Sequence, residues 1–287
     1  MQPAIRTISF VGLGLIGASM MRAFRQAPLQ GGLRLCLKGY DPALTEKERH
    51  DALEYGLDRF ETDRSALYDA DLIILAAPVE VNIALLDDIW TVAGSSVLVS
   101  DVSSTKSIIA EKARSLGVPF IGMHPMAGRE QQGFSSASEE LLQGKTVILC
   151  DNGSFLDEPR GQAFEKLLTT AGCRIMYMNP ESHDKVVANI SHLPQLISTL
   201  LINYCKDNIA ASGPGFSSLA RLSGSSWEIW KDIVLTNSDN IADELEHFAS
   251  ELESLAGNVR SLDMETLSTK FSNANQLYQT LKELHNP

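Results

Sequence analysis

The segment TISFVGLGLIGASMMRAFRQ, residues 7–26, decides the fold of the first half of the chain. It starts as an apolar run, passes through three glycines and ends with helical spacing. A GxGxxG motif is weak evidence by itself, but a strand before it and a helix after it are the context that dinucleotide binding requires. The first glycine permits a tight turn, the second lets a pyrophosphate approach the backbone, and the third allows close helix–strand packing. We therefore predict a dinucleotide-binding turn, its phosphates facing the helix N-terminus, formed by Gly12, Leu13, Gly14, Leu15, Ile16 and Gly17.

Short apolar runs alternate with helix-like segments as far as residue 178. Continuous apolar strands separated by helices are typical of a parallel sheet covered on both faces. The predicted strands are RTISFVGLG, RLCLKGYD, ADLIILAAP, SVLVSDVSS, PFIGMHP, KTVILC and CRIMYM. Only helical periodicity is found from residue 179 onward. We predict an α/β domain at residues 1–178 and an all-helical domain at residues 179–287, whose many apolar stripes favour burial against a second copy.

Composition excludes several classes of protein. Hydrophobic residues make up 44% and charged residues 21% of 287, which indicates a globular chain rather than a disordered one. No apolar run reaches the roughly 20 residues that span a bilayer, so no membrane partner is expected. The net charge of −12 argues against a nucleic-acid partner and means that an anionic substrate would need a local cation. Four cysteines without a CxxC pair suggest neither zinc nor disulfides, and we expect a reducing cytoplasm.

Three strand ends carry candidate cofactor contacts. Asp41 ends the second strand, where a carboxylate accepts hydrogen bonds from ribose and repels a 2′-phosphate, so NAD is favoured over NADP. A solvated turn aspartate before Pro42 is the alternative. Ala77 and Pro78 end the third strand, and Ser103 follows the fourth, where small residues would let a cofactor lie close.

Candidate catalytic residues follow the fourth and fifth strands. His124 ends the fifth strand, and in an open α/β sheet ligands bind beyond the carboxyl ends of the strands. A neutral imidazole there could accept a hydroxyl proton as a hydride leaves, although a structural histidine is the alternative. Ser104 is either part of this site or a helix N-cap. Arg221 is a cation suited to a carboxylate or a solvated surface charge.

The helical half contains one further polar cluster. Pro194 lies within a helical pattern, where proline removes a backbone hydrogen bond and tends to kink the helix. Ser191, His192 and Gln195 around it could then face the interdomain cleft, unless the kink has no ligand. The other histidines, including His183, lack the spacing of metal ligands, so we assign them no role and expect no metal.

Together these motifs resemble the prephenate/arogenate dehydrogenase family of tyrosine biosynthesis. The matching segments occur in family order between residue 8 and about residue 235. They are GLGLIG, DVSSTK, GMHPMAGRE, HDKVVANISHLPQL, and GF followed by Arg221 and the segment WKD. The resemblance implies a Rossmann-type NAD-binding domain, a helical substrate and dimerisation domain, and NAD-dependent oxidative decarboxylation of prephenate or arogenate.

The same resemblance implies roles for individual residues. His124 would hydrogen-bond the ring hydroxyl and accept its proton, and Ser104 would orient both groups. Arg221 would hold a substrate carboxylate, and Glu130 would pair with that arginine across the cleft. Ser191, His192 and Gln195 would complete the substrate site.

Departures from the family pattern leave the substrate open. Gln195 stands where many members have a second histidine, Lys231 where arginine is common, and Arg129 where a smaller polar residue is usual. We expect no fused mutase or regulatory domain, so any inhibition by tyrosine is expected at or near the active site. A β-hydroxyacid or 6-phosphogluconate-like dehydrogenase and a non-catalytic NAD-binding protein are the alternatives. The first lacks its usual lysine pattern here, and the second would leave Ser104, His124 and Arg221 unexplained.

Overall fold

The computed structural model of the protein describes residues 5–28, 34–129, 131–151, 153 and 155–285. By its internal contacts the chain divides into two compact units, Met1–Ser238 and Asp239–Pro287. The first unit extends past the predicted boundary at residue 178 because helices after that residue are hydrogen-bonded to the α/β segment. For example, backbone N–H groups of Lys106 and Ser107 donate to the carboxylate of Asp184. Residue 178 remains our proposed boundary between the α/β and helical segments.

A single sheet forms the centre of the first unit. Its strands are β1 (Thr7–Val11), β2 (Cys36–Tyr40), β3 (Arg59–Phe60), β4 (Leu72–Leu75), β5 (Leu98–Asp101), β6 (Phe120–Pro125), β7 (Thr146–Cys150) and β8 (Arg174–Met178). The spatial order is β3-β2-β1-β4-β5-β6-β7-β8. The first six strands are parallel and have the order of a dinucleotide-binding Rossmann fold. The predicted α/β class is confirmed, and β3 is a strand of two residues that the sequence pattern did not reveal.

Strands β7 and β8 run opposite to the other six, which corrects the prediction of a wholly parallel sheet. β7 pairs antiparallel with β6, and β8 pairs parallel with β7. Between β6 and β7 the helical elements of the described residues are short 3₁₀ turns, Phe134–Ser136 and Glu139–Leu142. Without an α-helix to carry the chain across the sheet, the next strand returns beside its predecessor in the opposite direction.

Alternate residues of the central strands enter two separate cores, one on each face of the sheet. Leu72 and Ile74 of β4 belong to one core, and Ile73 and Leu75 belong to the other. Because successive strand side chains point to opposite faces, a strand buried on both sides has no polar positions. This is the reason that LIIL reads as a continuous apolar run.

Twelve α-helices occur in the described part of the chain. They are α1 (Leu15–Gln26), α2 (Glu46–Glu54), α3 (Arg64–Tyr68), α4 (Val79–Ala93), α5 (Ser107–Leu116), α6 (Pro159–Thr170), α7 (Pro180–Val187), α8 (Leu193–Tyr204), α9 (Pro214–Ala220), α10 (Trp227–Thr236), α11 (Ser238–Ser261) and α12 (Met264–His285). No described residue after β8 is in a strand, as predicted. None of the helices in these ranges is both long and apolar enough to cross a membrane.

The predicted kink before Pro194 is a π-helical turn, Ala188–His192, between α7 and α8. The Leu193 N–H donates to the carbonyl of Ala188, five residues earlier. A π turn widens the helix locally, so the proline ring avoids the carbonyl that it would otherwise meet. The chain therefore continues as a helix through the proline.

Candidate active site

A cavity of about 660 Å³ lies at the carboxyl ends of the parallel strands. It is bounded by the glycine turn, the ends of β4 and β5, the loop after β6, and the chain from Arg221 to α10. The lining residues are Gly14, Leu15, Ile16, Ala76, Ala77, Pro78, Val79, Val102, Ser103, Ser104, Arg129, Gln132, Gly133, Arg221, Leu222, Gly224, Ser225, Glu228, Ile229, Asp232 and Ile233. The cavity thus joins the predicted cofactor residues to two arginines.

The three glycines of the turn differ in what surrounds them. A Cβ on Gly12, whose φ is +101°, would lie 2.5 Å from the backbone of Ala76. A Cβ on Gly17 would lie 2.2 Å from the carbonyl oxygen of Gly12. Gly14 has no atom within 4 Å of its Cβ position, and no side chain caps the N-terminus of α1. Gly12 and Gly17 are therefore needed by the fold, whereas Gly14 and the helix end are open to a phosphate.

Asp41 is fixed beside this turn. One carboxylate oxygen accepts from the Leu13 N–H at 2.8 Å, and the other accepts from the Ala43 N–H at 2.9 Å. A carboxylate has about four acceptor positions, so each oxygen can still accept a ribose hydroxyl. The side chain does not line the described cavity, and its contact with the ribose remains a prediction.

A buried asparagine that the sequence reading missed connects the ends of β4 and β5. The Asn82 side chain accepts from the Ala77 N–H at 3.1 Å and donates to the Ala77 carbonyl at 2.8 Å. It also donates to the Ser103 hydroxyl at 3.0 Å. Two of the predicted cofactor contacts are therefore held in place by one side chain from α4.

A buried ion pair fixes the loop that carries Ser104. Asp101 accepts from the Lys106 ammonium at 2.5 Å and from the Ser103 N–H at 3.0 Å, and neither charged side chain is exposed. Such a pair is stable in an apolar interior only when further hydrogen bonds satisfy it. The Ser104 hydroxyl lines the cavity and has no hydrogen bond to any described residue, so it is available to a ligand.

His124 belongs to a chain of three side chains. Its Nδ1 lies 2.9 Å from Nε2 of His183, and Nδ1 of His183 lies 2.8 Å from the Asp184 carboxylate. Burial, and then the neighbouring His183, Lys106 and His192, hold the pKa of His124 well below its ordinary value. His124 is therefore neutral near pH 7. It lies outside the lining of the cavity, and its predicted hydrogen bond to Ser104 is not among the described contacts.

The cluster around Pro194 lies behind the cavity wall. Gln195 donates to the Leu222 carbonyl at 2.7 Å and accepts from the Ser225 hydroxyl at 3.3 Å, and both partners line the cavity. His192 packs edge-on against Trp230, and burial lowers its pKa to about 4. Ser191 is partly buried on the π-helical turn. None of the three predicted residues of this cluster lines the cavity.

Charged residues of both signs line the part of the cavity next to the helical segment. Arg221 begins the 3₁₀ turn after α9 and lines the cavity. Arg129 is a second cation that the sequence reading had recorded only as a departure. Glu228 and Asp232 add two acids to the same lining. Glu130 lies outside the described residues. No group of three or more metal-ligating side chains occurs in the ranges that the structure describes.

Comparison with known proteins identifies the family. The sequence model described as "Prephenate dehydrogenase, nucleotide-binding domain" matches residues 30–177. The model described as "Prephenate dehydrogenase, dimerization domain" matches residues 179–273. A prephenate dehydrogenase of Bacillus subtilis (strain 168) is 30% identical over 282 residues, which cover 93% of this chain and 74% of the relative.

Solved structures agree with this. The Synechocystis arogenate dehydrogenase is 27% identical, with a TM-score of 0.82 over 96% of this chain and 99% of that chain. The A. aeolicus prephenate dehydrogenase, solved with hydroxyphenyl propionate and NAD+, is 24% identical, with a TM-score of 0.87 over 98% of this chain and 100% of that one. The family match favours the first sequence interpretation over the β-hydroxyacid dehydrogenase and the non-catalytic protein. The chain belongs to the prephenate dehydrogenase family and is an oxidoreductase of tyrosine biosynthesis.

Proposed function

We propose that the protein catalyses the NAD-dependent oxidative decarboxylation of prephenate to 4-hydroxyphenylpyruvate, or of arogenate to tyrosine. The observation that carries this proposal is that Gly14 and Arg221 line the same cavity. A dinucleotide on the glycine turn and an anion on the arginine would then lie side by side. Such proximity is what a direct hydride transfer between two bound molecules requires.

The residues of the glycine turn fit a dinucleotide. The open space at Gly14 and the uncapped end of α1 suit the pyrophosphate, and Asp41 has acceptor positions left for the ribose. Ala77, Pro78 and Ser103 also line the cavity. The cofactor is NAD, which supplies the hydride acceptor when it is bound.

The chain's own residues would position the substrate and move one proton. Nε2 of His124 takes the proton of the ring hydroxyl, and Ser104 orients that hydroxyl. Arg221 holds a carboxylate against the repulsion of an acidic protein. Carbon dioxide leaves as the ring becomes aromatic, and this drives the reaction forward. Positioning, one acceptor and one cation are then the main requirements on the protein.

We expect Arg129 to influence which of the two substrates is preferred. The side chain of Gln195 is already bonded to Leu222 and Ser225, so this amide does not replace the histidine of other members at the cavity surface. Arg129 lines the cavity together with Arg221 and adds a second cation. Prephenate carries two carboxylates, and the arogenate side chain carries an additional ammonium. A second arginine therefore favours prephenate.

The deciding experiment is an NAD-reduction assay of the purified protein with prephenate and arogenate in parallel. We expect turnover of at least one, with the higher kcat/KM for prephenate. Arg129→Ser should lower kcat/KM for prephenate more than for arogenate, because the lost cation meets the more anionic substrate. Activity with neither compound would refute the proposed function. An equal loss for both would refute only the role of Arg129.

In this proposal the cluster around Pro194 affects the substrate indirectly, by supporting the wall of the cavity. Its residues are Ser191, His192 and Gln195. Gln195 supports the segment that begins with Arg221, and His192 supports Trp230 on α10. Replacement of Gln195 should then change KM through displacement of the wall rather than through a lost contact to substrate.

We also propose a homodimer formed through the helical domain. The second compact unit consists mainly of α11 and α12, and it exposes many large apolar side chains, including Leu252, Val259, Phe271, Leu277 and Leu281. Faces of this kind are usually covered by a partner. Light scattering should give twice the mass of one chain, and Phe271→Asp should lower it. We further propose that the protein acts in a reducing cytoplasm.

A further inference from the structure

The structure places two side chains with no assigned role directly behind His124. His183 and Asp184 lie on α7, and the sequence pattern gave them no function. His183 is fully buried and Asp184 is 1% exposed. Hydrogen bonds link His124 to His183 and His183 to Asp184 in one continuous chain. The proton positions along this chain follow from the protonation state of Asp184.

Asp184 is one end of this chain. Burial alone would raise the pKa of this carboxyl, but hydrogen bonds from His183, Ser107 and Lys106 lower it below the ordinary value. Asp184 is thus ionised near pH 7 and can only accept. Its Oδ1 lies 2.8 Å from Nδ1 of His183, which must therefore carry a proton.

The remaining protons follow in sequence. Burial holds the pKa of His183 below its ordinary value, against the opposing effect of Asp184, so the ring is neutral and its Nε2 is an acceptor. Nδ1 of His124, 2.9 Å away, must then be the donor. Since His124 is also neutral, its Nε2 has a lone pair. This atom is not buried and has no hydrogen bond to a described residue, so it is accessible.

We propose that His183 and Asp184 are positioning residues that hold His124 in the tautomer with an unprotonated Nε2. This inference rests on the proposed function, in which that atom accepts the substrate proton. In the other tautomer His124 would present an N–H to the hydroxyl and could not act as a base. When the proton arrives, the acceptor at Nδ1 also stabilises the imidazolium, as the carboxylate does in Ser-His-Asp hydrolases.

Asp184 also holds the loop that carries Ser104, so the same carboxylate contacts both this loop and the histidine pair. Its two oxygens accept from the Lys106 N–H at 2.7 Å and the Ser107 N–H at 2.8 Å, at the start of α5. One carboxylate thus fixes the end of the loop and the orientation of His183. A change at Asp184 would disturb both, so His183 is the better position for a test.

The first measurement needs no substrate. In protein labelled with ¹⁵N-histidine, the shifts of His124 should show a protonated Nδ1 and an unprotonated Nε2 at pH 7.5, with the signals assigned by their loss in His124→Asn. A protonated Nε2 in the wild-type protein would overturn the proposal. This result is independent of activity, so it separates failure of the tautomer assignment from failure of the proposed function.

The second measurement compares two variants of similar shape. His183→Gln retains an oxygen that can accept from Nδ1 of His124, whereas His183→Met fills the space without such an acceptor. We expect His183→Met to lower kcat about 100-fold, within the range of general-base effects, with KM and NAD affinity changed less than about threefold. His183→Gln should recover most of that loss. Equal kcat values in two folded variants would refute the role of His183, and if His183→Met does not fold, the ¹⁵N result decides.

Discussion

Two glycines of the turn offer a test that separates fold from cofactor binding. Gly17→Ala places a methyl group 2.2 Å from the Gly12 carbonyl oxygen, which cannot move freely because the Gly12 N–H is bonded to the Tyr40 carbonyl at 2.8 Å. Gly14→Ala places its methyl group in open space, on a backbone with φ of −70° and ψ of −161° that alanine adopts easily. The same substitution should therefore destabilise the fold at Gly17 but leave it nearly unchanged at Gly14, three residues away.

The magnitudes follow from these contacts. Overpacking of a fixed backbone costs about 1–3 kcal/mol or more, so Gly17→Ala should lower Tm by roughly 3–10 °C. For Gly14→Ala the loss of a favourable N-cap residue and the reduced entropy of the unfolded chain nearly cancel, so Tm should change by less than about 2 °C. NAD binding by Gly14→Ala should weaken at least about tenfold, because Gly14 is where the pyrophosphate approaches.

Thermal unfolding with and without NAD is the assay. Saturating NAD at about 100 times Kd stabilises a binding protein by about 2.7 kcal/mol, a shift that is readily measured. Wild type should show this shift. Gly14→Ala should have the wild-type Tm without NAD and, at the same NAD concentration, a stabilisation of at most about 1.4 kcal/mol, roughly half that of the wild type. An unchanged shift in Gly14→Ala, or a Gly17→Ala protein as stable as Gly14→Ala, would show that the turn does not work as described.

Four further predictions concern single side chains. His124→Asn should lower kcat by a factor of about 100 or more with NAD affinity nearly unchanged, since only the proton acceptor is lost; near-normal turnover would rule out the catalytic role. Arg221→Ala should chiefly raise the substrate KM, and an unaltered KM would remove this arginine from the anion site. Asp41→Ser should shift kcat/KM from NAD toward NADP, and constant selectivity would contradict contact with the ribose. Because the pKa of His192 is about 4 in the folded protein and about 6.5 when unfolded, its stabilising effect is complete above pH 6.5 and is lost as the pH falls toward 4, by up to about 3 kcal/mol. His192→Phe should reduce that dependence in denaturant titrations, and an identical pH profile would count against it.

Local geometry made much of the fold and part of the site predictable. The glycine turn is readable because a positive φ at Gly12 and a close packing at Gly17 each require a residue without a side chain. Helix α1 and the strands around it are readable because apolar periodicity reports which faces are buried. The direction of a strand could not be predicted in this way, because β7 has the same apolar character whether it runs parallel or antiparallel to β6.

Partners distant in sequence were the least predictable part of the site. His183 is 59 residues from His124, and Asn82 is 21 residues from Ser103. The segment HDKVVANISHLPQL begins at His183 but assigns it no role, because that role comes from the contact between α7 and the end of β6. Gln195 shows the reverse case: its motif suggested contact with substrate, whereas its amide is bonded to the segment behind the cavity wall.

The sequence by itself determined the dinucleotide turn, the α/β class, the change to an all-helical region and the family, because each depends on short motifs and on local periodicity. Only the tertiary structure decided the direction of β7 and β8, the presence of Arg129 and Arg221 in the lining of one cavity, and the contacts that join His124, His183 and Asp184. The reason is physical. A tautomer is set by which donor or acceptor lies about 3 Å away, and chain folding alone brings those atoms together.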